Sequence, residues 1–209
     1  AGQGVLYADA TDELVELAEL LSIPVMTTLL GKSAFPETHS LSLGSGSGVM
    51  SGTLHHFMQR ADIVFGIGCS FTKHGMSMNI PEGKTMIHSS NDDRDINKDY
   101  NIDYPIVGDA KLILRQMIDA CQDLVGNGTR GDLSVEQEIV KERDAWLNEW
   151  RGKLTYSGRP INPYRVINEI NKNIIPENSI VTHDAGAPRD QIVPFFNATV
   201  PHSYIGWGK

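Results

Sequence analysis

The residues best suited to chemistry cluster around glycine. Gly31, Lys32 and Ser33 follow an apolar run and read as the Gly-Lys-Ser that closes a phosphate-binding loop. Such a loop needs another glycine five positions earlier, so that successive amides can turn inward to cradle a β-phosphate. Met26 stands there, which excludes the loop and leaves Lys32 expected as a solvated side chain. Gly44, Gly46, Gly48 and Gly52 lack the Gly-x-Gly-x-x-Gly spacing of a dinucleotide turn, and no strong strand precedes them. Histidine offers little more. His55 and His56 are adjacent, so on a helix they would point about 100° apart, and His39, His74, His88, His183 and His202 form no i, i+4 pair. No metal site is expected. Cys69 and Cys121 are far apart in apolar segments, as suits buried reduced thiols rather than a disulfide.

Composition narrows the partners. The 209 residues are 40% hydrophobic and 21% charged, with a formal charge of -8. That balance suits a soluble globular protein and argues against nucleic acid or an anionic membrane as partner. No apolar run approaches the ~20 residues of a membrane span. The start, "AGQGVLYADA", has no basic region ahead of an apolar one, so no signal peptide is expected and a cytoplasmic location follows.

Alternating periods then give the elements that must position these residues. Leu14, Leu17, Ala18 and Leu21 form the stripe of an amphipathic helix that Asp9 or Thr11 could cap. "IPVMTTL", "ADIVFGIG" and "KTMIHSS" read as buried strands, "VMSGTLHHFMQR" and "DAKLILRQMIDACQDLV" as helices. Strand and helix in alternation predict an α/β fold with a doubly wound parallel sheet of Rossmann-like type, whose ligands bind beyond the carboxyl ends of the strands. Three glycines in residues 126–132 mark a boundary, after which Ser134 and Gln137 make a capping box for a charged helix. Its Trp146 and Trp150, four apart, should face one neighbour. Asn162 and Pro163 give N-cap and N1 signals for "YRVINEINKNI", and "SIVTHDAG" is a strand entering a glycine turn. One strand with flanking helices cannot bury a core alone, so residues 160–209 read as a truncated second α/β unit that must pack on the rest or on another chain.

Taken together, "AGQGV", "ELVELAELLSIPVMTTLLGKSAFPETHSLSLG", "ADIVFGIG" and "PIVGDA" resemble the central domain of the thiamine-diphosphate enzymes related to acetolactate synthase, pyruvate oxidase and oxalyl-CoA decarboxylase. "INPYRVINEINKNIIPENSIVTHDAG" is similar to the start of that family's diphosphate-binding domain. The resemblance implies a central domain at 1–125, a linker with a helix at 126–159 and the beginning of the thiamine-diphosphate domain at 160–209. It also implies that the first strand of the central sheet, the catalytic glutamate and the Gly-Asp-Gly magnesium motif lie outside these residues.

The resemblance further implies which residues touch cofactors. For a nucleotide such as FAD or ADP these are Gly2 and Gly4, then Thr28, Leu29 and Gly31, then Gly68 and Ser70, and finally Asp92, Gly108, Asp109 and Ala110. Where FAD-binding relatives carry two arginines, residues 68–74 read Gly-Cys-Ser-Phe-Thr-Lys-His, which weighs against FAD, and Ser90 replaces one of a pair of acids. His183, Asp184, Gly186 and Ala187 stand where the family places thiamine diphosphate with its Mg²⁺, although Asp184 could instead cap a helix near Ala187. The parent would be a homodimer or homotetramer acting on a small 2-oxo acid, and this chain would supply scaffold. An independent NAD-, FAD- or ADP-binding module is the alternative.

Overall fold

The computed structural model describes residues 1–75, 77–125 and 133–206. Its elements run α1 (Gln3–Tyr7), α2 (Thr11–Leu21), β1 (Val25–Thr28), β2 (Ser42–Gly46), α3 (Gly52–Arg60), β3 (Ile63–Ile67), β4 (Thr85–Ser90), β5 (Tyr104–Val107) and α4 (Ala110–Val125). They continue with α5 (Leu133–Leu154), α6 (Pro163–Asn173), β6 (Val181–Thr182), α7 (Ala187–Ile192) and β7 (Tyr204–Ile205). Every ladder is parallel: β1 with β2, β3-β4-β5, and β6 with β7. Helices cover both sides, α2 packing with α4 and α3 with α5. Ala1 and Gly2 bridge the first two ladders: the Ala1 amine donates to Met26 O at 2.8 Å, Thr28 N to Ala1 O at 2.9 Å, and Gly2 N to Ile67 O at 2.8 Å.

Local chemistry explains most of these elements. The α2 stripe buries Leu14, Leu17 and Ala18 and half-buries Leu21. Its cap differs from expectation, because Ala10 is the N-cap and no side chain bonds there. Asp9 takes a left-handed turn at φ 47° between α1 and α2, which aims its carboxylate at His202, 3.4 Å away. Ser51 caps α3 through Leu54 N at 3.1 Å. Asn162 caps α6 through Tyr164 N at 3.0 Å with Pro163 in the first turn, as read from the sequence. Ser134 lies inside α5 rather than at its N-cap, and the glycine-rich residues 126–132 fall outside the described residues. β2, built from Ser-Leu-Gly-Ser-Gly, was not legible as a strand; it is one because it pairs with β1 and buries four of its five residues.

The residues after 160 find their core partly in α5. Ile167, Ile192, Val193, Phe195, Phe196, Ala198 and Tyr204 are buried together, and Leu29, Trp146, Trp150 and Leu154 pack against them. Trp146 stacks on Phe195 at 4.6 Å and Trp150 meets Tyr164 edge-on at 4.8 Å, so both tryptophans do face one neighbour.

Lys32 overturns its expectation. It is fully buried, and its Nζ lies 2.6 and 2.5 Å from the two oxygens of Glu37, also buried. The same ammonium donates to Val193 O at 3.1 Å and Phe196 O at 2.7 Å, and lies 5.3 Å from the centre of the Tyr204 ring. Glu37 accepts from Ser45 Oγ at 2.5 Å and from Ala198 N at 2.7 Å, while Glu37 N donates to Ala198 O at 3.0 Å. Ser33, beside Lys32, holds a strained φ of 82° that belongs to this inward turn. Burial pushes the Lys32 ammonium below its ordinary value, against the pull of Glu37. The loop therefore serves internal packing, with the cation shielded from water.

Removing one member of a buried pair leaves the other charge uncompensated, which costs ~3–5 kcal/mol, whereas replacing both by apolar groups costs far less. Lys32→Met should therefore lower the urea midpoint strongly, and adding Glu37→Leu should recover much of the loss. A single variant within ~1 kcal/mol of the parent would contradict this.

Candidate functional site

Parallel ladders bring the carboxyl ends of β1 to β5 to one edge, and a cleft of about 380 Å³ opens there. Gly4, Thr28, Leu29, Gly68 and Ser70 line it, as five of the positions named from the sequence. Gly2 and Gly31 are buried behind that wall. Two of the glycines are fixed by backbone contact. Gly68 has φ 60°, and a Cβ there would stand 2.6 Å from Val5 N, while Gly2 lies flat against Gly68 O and Cys69. Gly4 N donates to Gly68 O at 2.8 Å, and Gly68 N to Ser89 O at 3.0 Å. These glycines thus join the α1 turn to the β3 end, whatever else they touch.

The acids behave otherwise. Asp92, Gly108, Asp109 and Ala110 do not line the cleft. Asp109 Oδ1 accepts from Lys111 N at 3.0 Å and Leu112 N at 3.1 Å, which makes it the cap of α4. Asp92 caps the short turn at Asp93–Asp95 and grips the Arg94 guanidinium, with Nη2 to Oδ2 at 2.6 Å. The hydrogen bond from the Arg94 side chain, helped by its backbone amide, holds the Asp92 carboxyl at about 2. The acid that does line the cleft is Asp95, which accepts from Ser90 Oγ at 3.3 Å. Sequence spacing missed it among its acidic neighbours.

Residues 69–72 and 74 line one side of the cleft. The Phe71 ring lies against Gly66 and 4.7 Å from the His88 ring, and Ser70 and Thr72 share a 2.9 Å hydroxyl bond. Lys73 does not line the cleft itself; its Nζ stands 4.1 Å from the ring centre of Tyr100, which does. Cys69 and Cys121 are free thiols, half-buried rather than buried, and burial pushes the Cys69 thiol up. Hydroxyls and the Asp95 carboxylate suit a sugar; among the described residues neither Lys nor Arg lines the cleft, while Ala1 and His74 do.

The second group of predicted residues forms a turn after β6. Asp184, Gly186 and Ala187 are exposed, and His183 is buried. The His183 ring lies 5.7 Å from Tyr204, with Nδ1 3.0 Å from Asp184 O and Nε2 buried without a partner. Asp184 accepts from Ala185 N at 2.7 Å and does not cap α7, whose N-cap is Gly186 at φ 80°. The turn is thus open to solvent at Asp184, Gly186 and Ala187, while the His183 ring is buried. Among the described residues no group of three His, Cys, Asp or Glu could hold a metal ion, and no helix is long and apolar enough to cross a membrane.

A parallel sheet with close-packed glycines and a cleft at its carboxyl edge defines a Rossmann-like α/β domain. The family is narrower: residues 1–117 match the model described as "Thiamine pyrophosphate enzyme, central domain", and the chain belongs to that family. The whole chain is also similar to the probable acetolactate synthase large subunits of Methanococcus aeolicus, at 32% identity, and Methanocaldococcus jannaschii, at 33%. It aligns over 99% of its length with acetolactate synthase isozyme 3 large subunit of Escherichia coli at 29% identity. The chain spans 36%, 35% and 36% of these relatives, about a third of each.

Two outcomes test this edge. Gly44 also has positive φ, at 79°, but open space around it, so Gly44→Ala should cost ~1–2 kcal/mol from backbone conformation alone. Gly68→Ala adds collision with Val5 N and should cost clearly more in denaturant unfolding; equal costs would show that the contact is unimportant. Separately, the Asp92 carboxyl should titrate by NMR near 2, below its ordinary 3.8. Because the folded value is depressed, the Arg94 bond stabilises the fold above the ordinary value, and its contribution is lost as pH falls through about 2. Arg94→Ala should return the midpoint toward 3.8, and an unchanged midpoint would contradict the assignment.

Proposed function

We propose that the chain is the central part, with the start of the cofactor domain, of a thiamine-diphosphate enzyme that decarboxylates a 2-oxo acid or joins two such molecules, as in acetolactate synthases. The observation that supports this most is continuity: similarity to those large subunits extends past the central-domain match at residue 117 to the end of the chain. A free-standing nucleotide module would have no use for α6, β6 and the turn at 183–187.

In this proposal the residues present act as scaffold. The exposed turn of Asp184, Gly186 and Ala187 would meet the diphosphate and its Mg²⁺, which would anchor the cofactor, while the cofactor's thiazolium ring would supply the carbanion chemistry. Gly4, Thr28, Leu29, Gly68 and Ser70 would border a small polar ligand at the strand ends, with Asp95 accepting from hydroxyls. A cytoplasmic location and self-association of the intact protein, as homodimer or homotetramer, belong to the same proposal.

In this proposal the chain by itself is inactive, because the family resemblance places the glutamate that activates the cofactor outside these residues. With thiamine diphosphate, Mg²⁺ and pyruvate, carbon dioxide release should not exceed a blank. Turnover above the blank would overturn the scaffold role. Flavin should also be lost from the protein on gel filtration, as residues 68–74 without the two arginines lead us to expect, and a retained yellow colour would contradict that.

A further inference from the structure

The turn at 183–187 is exposed, but the side chain that begins it is not. His183 follows β6 and is 7% exposed, and its ring lies 5.7 Å from that of Tyr204 in β7, which is 4% exposed. The two strands pair Val181 with Tyr204 and Thr182 with Ile205, and Thr182 Oγ1 donates to Ile205 O at 3.0 Å. His183 Nδ1 stands 3.0 Å from the Asp184 carbonyl oxygen. A carbonyl oxygen only accepts, so the nitrogen facing it must carry the hydrogen. The opposite tautomer would set two lone pairs against each other at that distance. It would also leave an N–H at Nε2, which is buried and has no partner among the described residues.

We propose that His183 is the positioning residue of this turn, held as the Nδ1–H tautomer, and that it fixes the plane of the peptide between Asp184 and Ala185. That peptide is gripped at both ends: the His183 ring donates to its oxygen, and its nitrogen, Ala185 N, donates to Asp184 Oδ1 at 2.7 Å. The ring therefore also sets the direction of the Asp184 carboxylate. Its own orientation comes from Tyr204, whose ring stacks on Phe196 at 5.9 Å and has its centre 5.3 Å from Lys32 Nζ. Tyr204 and His183 thus connect the turn to the buried pair of Lys32 and Glu37, at the junction of the central sheet with the residues after 160. What the turn meets rests on the cofactor role proposed above; the placement of the hydrogen does not.

The test is NMR of the whole chain with isotope-labelled histidine, at about pH 8, above the ordinary histidine value. Correlations between ring protons and ring nitrogens should place the hydrogen of His183 on Nδ1 and leave Nε2 bare, the reverse of the tautomer favoured by histidine free in water. His183→Asn keeps an N–H at the Nδ1 position and should hold the amide signals of Asp184, Ala185 and Gly186 near those of the parent. His183→Gln moves the N–H out to the Nε2 position; it should shift those signals and speed exchange of the Ala185 amide about three- to tenfold, as losing one net hydrogen bond implies. The tautomer of the unaltered chain answers the question even if a variant fails to fold. Hydrogen on Nε2, a mixture of the two forms, or Asn and Gln variants that behave alike would each overturn the proposal. Titration of the intact protein with thiamine diphosphate and Mg²⁺ separates the two readings: unmoved signals at 184–187 would remove the cofactor contact and leave the role of His183 standing.

Discussion

The buried ion pair of Lys32 and Glu37 is the constraint on which the remaining structure depends. A fully desolvated ammonium survives only if every proton finds an acceptor, and here the acceptors come from two directions. Glu37 is five residues away, but the Val193 and Phe196 carbonyls are 161 and 164 residues away. The pair therefore fixes the 193–198 segment against the β1–β2 ladder at an angle that apolar packing alone would leave loose. Ser45 extends the constraint into the sheet, since it bonds Glu37 and also Thr27 Oγ at 2.6 Å. The stack of Trp146 on Phe195 and the burial of Phe196 and Tyr204 all assume the chain direction that this pair sets.

A second constraint acts at the opposite side of β1. Gly2, Gly31 and Gly68 bring three backbones within contact of one another, so the α1 turn, the loop after β1 and the end of β3 form one unit. That unit and the ion pair are joined through consecutive residues, Gly31 and Lys32. One short loop thereby lines the strand-end cleft with Leu29 and Leu30 and reaches the junction with Lys32.

What could be read from the sequence was what depends on near neighbours. The α2 stripe, the Asn162–Pro163 cap and the shared face of Trp146 and Trp150 are local patterns, and they are present as read. Of the five positions that line the cleft, Thr28, Leu29, Gly68 and Ser70 lie at or just after strand ends and Gly4 in α1. The misreadings share another cause. Lys32 read as solvated because its carbonyl acceptors are remote in sequence, and β2 read as loop because only burial against β1 makes Ser-Leu-Gly-Ser-Gly a strand. Asp92 and Asp109, read as ligand contacts, accept from nearby backbone amides and do not line the cleft, and Asp95, which does, stands among equivalent acids in the sequence.

Native-state hydrogen exchange at the Ala198 amide tests the central role of the ion pair most directly, because that amide donates to Glu37 across the junction. Its reference is the Val25 amide, which donates to Leu41 O at 2.9 Å within the central sheet. If the pair joins the two units into one cooperative body, both amides should exchange with the same opening free energy and respond alike to added denaturant. Ala198 exchanging through a much smaller opening, while Val25 stays protected, would show that the junction comes apart on its own and would contradict that role.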